Sequence, residues 1–297
     1  MAVAVATIKE PISLGTRIHR WADRWLLPIY VLGVTLYLVL PVVVMIAFSF
    51  NDPAGRSNLQ WGSFSIDAWL DPLGRPGLPE AVRNSLVIAV LSTIVATILG
   101  TLIALALVRY EFRGRGGTNL LIFLPMSTPE IVLGASLLTT FIASTQLPFI
   151  PEGVVYPLSI LTIILAHIMF NISFVVVTVK ARLSGFPRHL EEAAMDLGAN
   201  EWTTFWKVTF PLILPGIAAA GLLAFSLSID DYVITSFTAG QTQTFPLFIY
   251  GSQLRGIPVQ VNVIGTIIFV VAVGFVLLTT LWQRRVAAQD YKASTAA

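Results

Sequence analysis

The 297-residue sequence contains no cysteine. Disulfide scaffolds, zinc–thiolate sites, iron–sulfur clusters and thiol catalysis are excluded by that absence. Charge is also scarce, at 11% of residues, against about 25% in soluble domains. There is no Gly-x-x-x-x-Gly-Lys-Ser/Thr run, so this chain lacks the phosphate-binding loop with which such proteins hydrolyse ATP. No Ser–His pair, metal-ligand cluster or suitably placed pair of catalytic carboxylates stands out, and no histidine lies near Asp230 and Asp231 in sequence. No short repeat is visible. The first apolar run is too long for a signal-peptide core and lacks a small-residue cleavage site, so no cleavable signal is expected. The net charge of +2 is small, which leaves its distribution along the chain as the informative quantity.

What is abundant is apolar surface: 56% of residues are hydrophobic, and the mean hydropathy is +0.80. Six apolar segments run over approximately 27–50, 82–108, 118–144, 157–179, 212–236 and 259–282. Each can cross about 30 Å of hydrocarbon, which takes roughly 20 residues of helix. Backbone groups in lipid must pair within their own segment, so these are predicted to be helices. The expected fold is all-α and integral to the membrane. A six-helix domain spans 26–284, preceded by an interfacial segment over 1–25 and followed by a tail over 285–297. In the first of these, Leu14, Ile18, Trp21 and Trp25 recur at helical spacing among Arg17, Arg20 and Arg24, a pattern that suits a helix lying in the headgroup layer.

Basic residues orient the spans. With both ends inside, the cytoplasmic face takes Lys9, Arg17, Arg20, Arg24, Arg109, Arg113, Arg115, Lys180, Arg182, Arg188, Lys207, Arg284, Arg285 and Lys292. Only Arg56, Arg75, Arg83 and Arg255 fall outside. Trp61, Phe64 and Trp69, in the outer loop 51–81, are expected at the membrane interface as part of an aromatic belt.

The loop over 180–216 carries too much order for a linker. Pro187 suits the start of a helix. Glu191 and Glu192 oppose the positive end of that helix's dipole. Gly198 fits the residue just past its end, where a left-handed backbone is required. Asn200 offers a cap for a second short helix, which bears Trp202, Phe205 and Trp206. Pro211 and Pro215 then turn the chain into the fifth span.

In this stretch Glu192, Ala193, Ala194 and Gly198 precede Val208, Phe210 and Pro211 at fixed spacing. The pattern resembles the EAA loop of ABC importer permeases, with Val208 and Phe210 where Ile and Leu are more usual. Phe48-Ser49-Phe50-Asn51, Arg109-Tyr110-Glu111-Phe112-Arg113-Gly114, Pro129-Glu130-Ile131-Val132, Phe174-Val175-Val176-Val177-Thr178-Val179 and Ser228-Ile229-Asp230-Asp231-Tyr232-Val233 extend the likeness. Together they resemble the permeases of spermidine/putrescine importers over essentially the whole chain after residue 25, although the N-terminal extension is longer than usual. The resemblance implies a type I ABC importer permease fold with cytoplasmic coupling helices. It implies that Glu192, Ala193, Ala194 and Gly198 dock in a groove of a separate ATPase subunit, present as a pair, which holds ATP and magnesium; this chain needs no cofactor. It further implies a second, different permease chain, an external substrate-binding protein and a bacterial inner membrane. No nucleic-acid partner is expected.

Charges inside spans cost about 2.5–3.5 kcal/mol each on insertion scales, so each invites a functional reading. Glu130 lies about 12 residues into the third span, near mid-membrane at 1.5 Å per residue. Pro125 and Pro129 are expected to kink or unwind the helix there. Asp230 and Asp231 lie toward the outer half of the fifth span. Adjacent helical residues point about 100° apart, so one aspartate is expected to face the path and the other to tie the span to a neighbour. Ser228, Asp231 and Thr235 share one helical face. Carboxylates in an apolar channel favour a cation, and Tyr232 adds cation–π attraction. Glu130, Asp230, Asp231 and Tyr232 are therefore the candidate substrate path, and an amine fits it. His167 is expected to hydrogen-bond a neighbouring helix. The alternatives are a permease for another small cation, such as thiamine or ferric iron, a secondary transporter, and a membrane enzyme. The missing internal repeat speaks against the second and the missing catalytic constellation against the third.

Overall fold

The computed structural model describes residues 14–145, 157–185 and 187–296, with side chains described over most of 24–281. In chain order the elements are α1 (Leu14–Phe48), β1 (Asn51–Asp52), β2 (Ser63–Phe64), α2 (Asp67–Leu70), α3 (Leu78–Arg109), α4 (Arg115–Ser127), α5 (Glu130–Ser144) and α6 (Ile160–Ser184). They continue with α7 (His189–Asp196), α8 (Glu201–Thr204), a π-helical segment (Phe205–Thr209), α9 (Phe210–Ile229), α10 (Val233–Thr238), α11 (Phe245–Ser252) and α12 (Val259–Ala296). Among the described residues, four helical stretches are long and apolar enough to cross a membrane: Arg24–Phe48, Leu78–Arg109, Ile160–Ser184 and Glu201–Ile229. The pair α4 and α5 makes a fifth if it is counted as one broken span, and Val259–Gly274 of α12 is a shorter apolar stretch.

The chain falls into two compact units, one made of the two ends (up to Pro72 and from Gly256) and one of Leu73–Arg255. In the first, α1 packs on α12, where a Cβ on Gly265 would stand 2.9 Å from the Met45 sulfur. From Leu14 the helix is continuous with the first span, so no break in secondary structure marks off the stretch expected to lie along the surface; residues 1–13 are outside the described part. The loop after α1 closes as a two-residue hairpin in which Asn51 pairs with Phe64 and Asp52 with Ser63. Asn51 secures it, donating to Asn58 Oδ1 at 2.6 Å and to the Gln60 carbonyl at 2.8 Å while its own oxygen accepts from Gly62 N–H at 2.8 Å. Phe50 stacks between Phe64 and Trp69, with centroids 5.7 and 5.2 Å away. Phe64 and Trp69, two of the aromatics expected at the interface, thus hold this hairpin through Phe50.

The second unit is built on α3, α6 and α9. Val175, Val176, Val179, Leu183, Leu107 and Ile213 are fully buried where the three helices meet. Packing between apolar helices in lipid rests on close van der Waals fit rather than on water release, and small residues provide it. A Cβ on Gly100 would lie 2.6 Å from Val175 Cγ1, and one on Gly134 would lie 2.6 Å from the Phe237 ring. Gly221 is approached more loosely, with Thr97 Oγ1 at 3.4 Å from where its Cβ would stand.

Three expected helices differ in extent. The span expected over 118–144 is α4 and α5, bent by 110°. Thr128 precedes Pro129 and is extended, at φ −82° and ψ 132°, because the proline ring disfavours helical backbone in the residue before it. Pro129 then opens α5, its carbonyl accepting from Leu133 N–H at 3.0 Å. The expected separate helix bearing Trp202 is instead the foot of the fifth span: α8, the π-helical segment and α9 run on from Glu201 to Ile229. The widened turn closes with Phe210 N–H on the Phe205 carbonyl, just before Pro211, which has no N–H to donate. The expected fifth span, 212–236, itself stops at Ile229, and the chain is non-helical over Asp230–Tyr232 before α10. Asp231 contributes to the interruption: its carboxylate takes the Thr235 N–H at 2.8 Å, the donor that a continuous helix would give to the Asp231 carbonyl.

Candidate functional site

Two regions of the second unit gather the singled-out residues. The first is the loop between α6 and α9. Helix α7 ends as the sequence predicts: Gly198 has φ +86°, its N–H donates to the Met195 carbonyl at 2.9 Å, and Ala199 N–H reaches the Ala194 carbonyl at 3.1 Å. These two bonds form a Schellman motif. Asn200 Oδ1 then accepts from Thr203 N–H at 2.8 Å, capping the next turn. Glu192, Ala193 and Gly198 are exposed and Ala194 is half-buried. Leu197, beside them, is 89% exposed, so α7 and its end present backbone and small or apolar side chains outward.

Sequence reasoning placed Glu191 only as a dipole partner, but it is the anchor of this loop. Its Oε1 accepts from Arg109 Nη2 at 2.9 Å and from Thr209 Oγ1 at 2.7 Å. The carboxylate thereby joins α7 to the last turn of α3 and to the π-helical segment. A cleft of about 270 Å³ lies between these elements, lined by Arg109, Glu191, Glu192 and Met195 among others. Glu192 pairs with Arg188, at 3.6 Å on an exposed face, a contact of little energetic weight. Partners 82 residues apart, as Arg109 and Glu191 are, leave no local signal.

The second region surrounds the break between α9 and α10. Glu130 is exposed as the first residue of α5. Its carboxylate is at a helix N-terminus, where the dipole favours negative charge. Asp230 is exposed, whereas the Asp231 side chain is only 7% exposed. The adjacent pair is divided between surface and interior, but in non-helical backbone, so the helical offset on which the expectation rested does not account for it. Tyr232 is half-buried, with its ring 4.7 Å from that of Tyr250 in α11, a neighbour sequence reasoning did not find. The structure brings Asp230, Asp231 and Tyr232 together at one break and Glu130 to another.

Asp231 turns inward onto His167. The His167 Nε2 lies 3.3 Å from Asp231 Oδ2 and 3.0 Å from Thr235 Oγ1. On the other side of the ring, Nδ1 is 2.6 Å from Ser228 Oγ, which is itself 3.0 Å from Ser92 Oγ. The expected bond from His167 to a neighbouring helix is present. No histidine stands near the aspartates in sequence, yet the fold brings His167 to Asp231 and to Ser228, which is 61 positions away. This is not a hydrolase triad in its usual orientation, in which serine faces Nε2 and the acid Nδ1. Ser228 is moreover only 4% exposed and already bonded to Ser92. Among the described residues, no group of three or more His, Asp or Glu is arranged to hold a metal ion.

Known proteins share this sequence and fold. The spermidine/putrescine transport system permease protein PotC of Escherichia coli K12 is 36% identical over 250 residues, covering 84% of this chain and 90% of PotC. The putrescine transport system permease protein PotI of the same strain is 36% identical over 258 residues, covering 85% and 89%. A bacterial ABC transporter for the acidic polysaccharide alginate aligns with TM-score 0.65 at 18% identity, covering 91% of this chain and 99% of the matched chain. The MetNI methionine ABC transporter aligns with TM-score 0.53 at 17% identity, covering 72% and 97%. At such identities the two structures speak to the fold, which is that of an ABC importer permease. Residues 96–289 match the family described as binding-protein-dependent transport system inner membrane component, and the chain belongs to that family.

Proposed function

We propose that this chain is a permease subunit of an ATP-driven importer of polyamines, spermidine or putrescine, in a bacterial inner membrane. The observation that carries this reading is the 36% identity to PotC and PotI over 84–85% of the chain. The chain crosses six times, by α1, α3, the broken α4–α5 pair, α6, α9 with α10, and α12, and both termini are cytoplasmic. The interfacial segment 1–25, the transmembrane domain 26–284 and the tail 285–297 follow that topology.

It performs no catalysis of its own. Glu192, Ala193, Ala194 and Gly198 contact a separate ATPase pair, which binds ATP and magnesium. The exposed small residues of α7 and the rigid end at Gly198 support that role, since a docked helix transmits force only if its direction is fixed. A second, different permease completes the path, and an external binding protein delivers the substrate. ATP binding biases a two-state equilibrium between outward-open and inward-open forms through the docked loop.

Within the path, Glu130 and Asp230 attract the ammonium groups, and Tyr232 with Tyr250 offers aromatic faces for cation–π contact. Asp231 shapes the break from inside. Purely carboxylate and aromatic chemistry suits amines better than anions or neutral sugars.

The test is uptake of radiolabelled spermidine and putrescine into proteoliposomes holding this chain, its partner permease, ATPase and binding protein. Accumulation that needs ATP and is competed by the unlabelled amines is expected. Accumulation by the purified chain alone refutes the dependence on a separate motor. Transport of thiamine or ferric iron in place of polyamines refutes the substrate.

A further inference from the structure

The break between α9 and α10 has a fastening that sequence order hides. His167 is fully enclosed, at 1% exposure, in the first half of α6. One of its ring nitrogens holds Ser228, in the last turn of α9, and the other holds Thr235, in the first turn of α10. The same imidazole therefore grips both sides of the three-residue interruption. Asp231, inside the interruption, points at the same nitrogen as Thr235.

Hydrogen-bond inventory fixes how the ring is used. The Thr235 hydroxyl donates to Asp231 Oδ2 at 2.7 Å, so toward His167 it can only accept. An ionised carboxylate can only accept as well. Nε2 therefore carries a hydrogen, shared between Thr235 and Asp231, and the tautomer is set by the α10 side of the break. Nδ1 faces Ser228 Oγ, whose other contact is Ser92 on α3. Four helices are thus linked through one side chain: α3, α6, α9 and α10. Hydrogen bonds buried away from water and aimed at a charged group are the strong ones.

We propose that His167 is a positioning residue for substrate binding, acting as a clamp that holds the Asp230–Tyr232 break open. With Ser228 and Thr235 held, the backbone between them cannot rewind into a continuous helix. Asp231 is retained inside while Asp230 is left exposed and Tyr232 is set against Tyr250. The proposal rests on the reading of Asp230 and Tyr232 as part of the substrate path. His167 touches no substrate; it acts through the residues it orients.

The two ring nitrogens can be replaced separately. The terminal amide of glutamine reaches where Nε2 stands and can donate to Asp231 and Thr235. The shorter asparagine places its oxygen near Nδ1 and can accept from Ser228. The experiment compares His167→Ala, His167→Gln, His167→Asn and Asp230→Asn in the complete importer, with assembly checked by size exclusion and spermidine uptake measured against concentration. His167→Ala and His167→Asn are expected to raise the apparent KM about tenfold, the factor carried by one charge-assisted hydrogen bond. His167→Gln, which keeps the α10 side but releases Ser228, is expected to share that loss, because the clamp needs both flanks. Full recovery by glutamine or by asparagine overturns the two-sided clamp. If His167→Ala does not assemble, the glutamine and asparagine pair decides by the same criterion. A KM raised by Asp230→Asn but unmoved by every His167 variant overturns the clamp and leaves the path reading standing.

If Asp230→Asn itself leaves KM unmoved, the path reading fails, and a second measurement judges the clamp by itself. The native chain has no cysteine, so spin labels at Ser226→Cys and Ser236→Cys, both exposed positions flanking the break, report its geometry cleanly. A distance distribution that shifts or broadens in the His167→Ala background supports the clamp, and an unchanged distribution overturns it.

Discussion

Replacing Gly198 should separate ATP hydrolysis from transport. At φ +86° its backbone is left-handed, and the Schellman bonds of α7 depend on that turn. For Gly198→Ala, the added Cβ meets nothing within 4 Å. The cost is then backbone strain alone, about 1–2 kcal/mol for an L-residue in that region. Gly198→Pro is of another kind. The proline ring holds φ near −65°, so the left-handed turn cannot form. It also removes the N–H that donates to Met195, a further loss of about 1 kcal/mol. Helix α7 has only eight residues, too few to be stable in water by itself, so without this end its direction is lost. The assay is spermidine uptake per ATP hydrolysed in proteoliposomes carrying the complete importer. The alanine variant should lose a fewfold. The proline variant should lose at least about tenfold, the factor that 1.4 kcal/mol corresponds to, while still inserting and assembling. Uptake per ATP equal to the native value in the proline variant refutes the reasoning, as does an alanine variant worse than proline.

The Arg109–Glu191 pair is 16% and 13% exposed, so Glu191→Gln should destabilise by about 1–3 kcal/mol through the incompletely compensated guanidinium. A double-mutant cycle with Arg109→Gln, read by thermal unfolding in detergent, should show positive coupling, and additivity counts against the pair. Gly100→Ala should cost about 1–3 kcal/mol by overpacking against Val175, whereas Gly221→Ala, whose Cβ meets Thr97 at 3.4 Å, should be tolerated; equal unfolding temperatures for the two variants contradict the close approach of α3 to α6. Asp230→Asn should raise the uptake KM for a triamine more than for a diamine, because fewer ammonium groups have a carboxylate to meet, while Asp230→Glu retains most affinity; equal effects on the two amines refute a charge-based role.

Much of the candidate site was legible because its signals are local. Gly198 and Asn200 act within four residues, through one backbone sign and one cap, and both behave as their chemistry dictates. Pro129 announces the break before Glu130, since the ring constrains its immediate predecessor. Asp230 and Asp231 do divide, but in non-helical backbone, where the offset between adjacent helical residues does not apply. Glu191, Tyr250 and His167 were different. Each gains its meaning from a side chain on another helix, and such partners leave no periodic trace in an apolar chain where nearly every position is compatible with burial.

The sequence by itself determined a membrane protein of this family: the apolar runs, the scarcity of charge, the distribution of Lys and Arg, and the Glu-Ala-Ala to Gly spacing each act locally or in bulk. Only the tertiary structure decided that Asp231 turns inward and that the fifth span stops at Ile229. Competition for one donor contributes. The Thr235 N–H has a backbone acceptor and a carboxylate acceptor within reach, and a histidine about 60 positions earlier holds both flanks of the break where the carboxylate takes that donor.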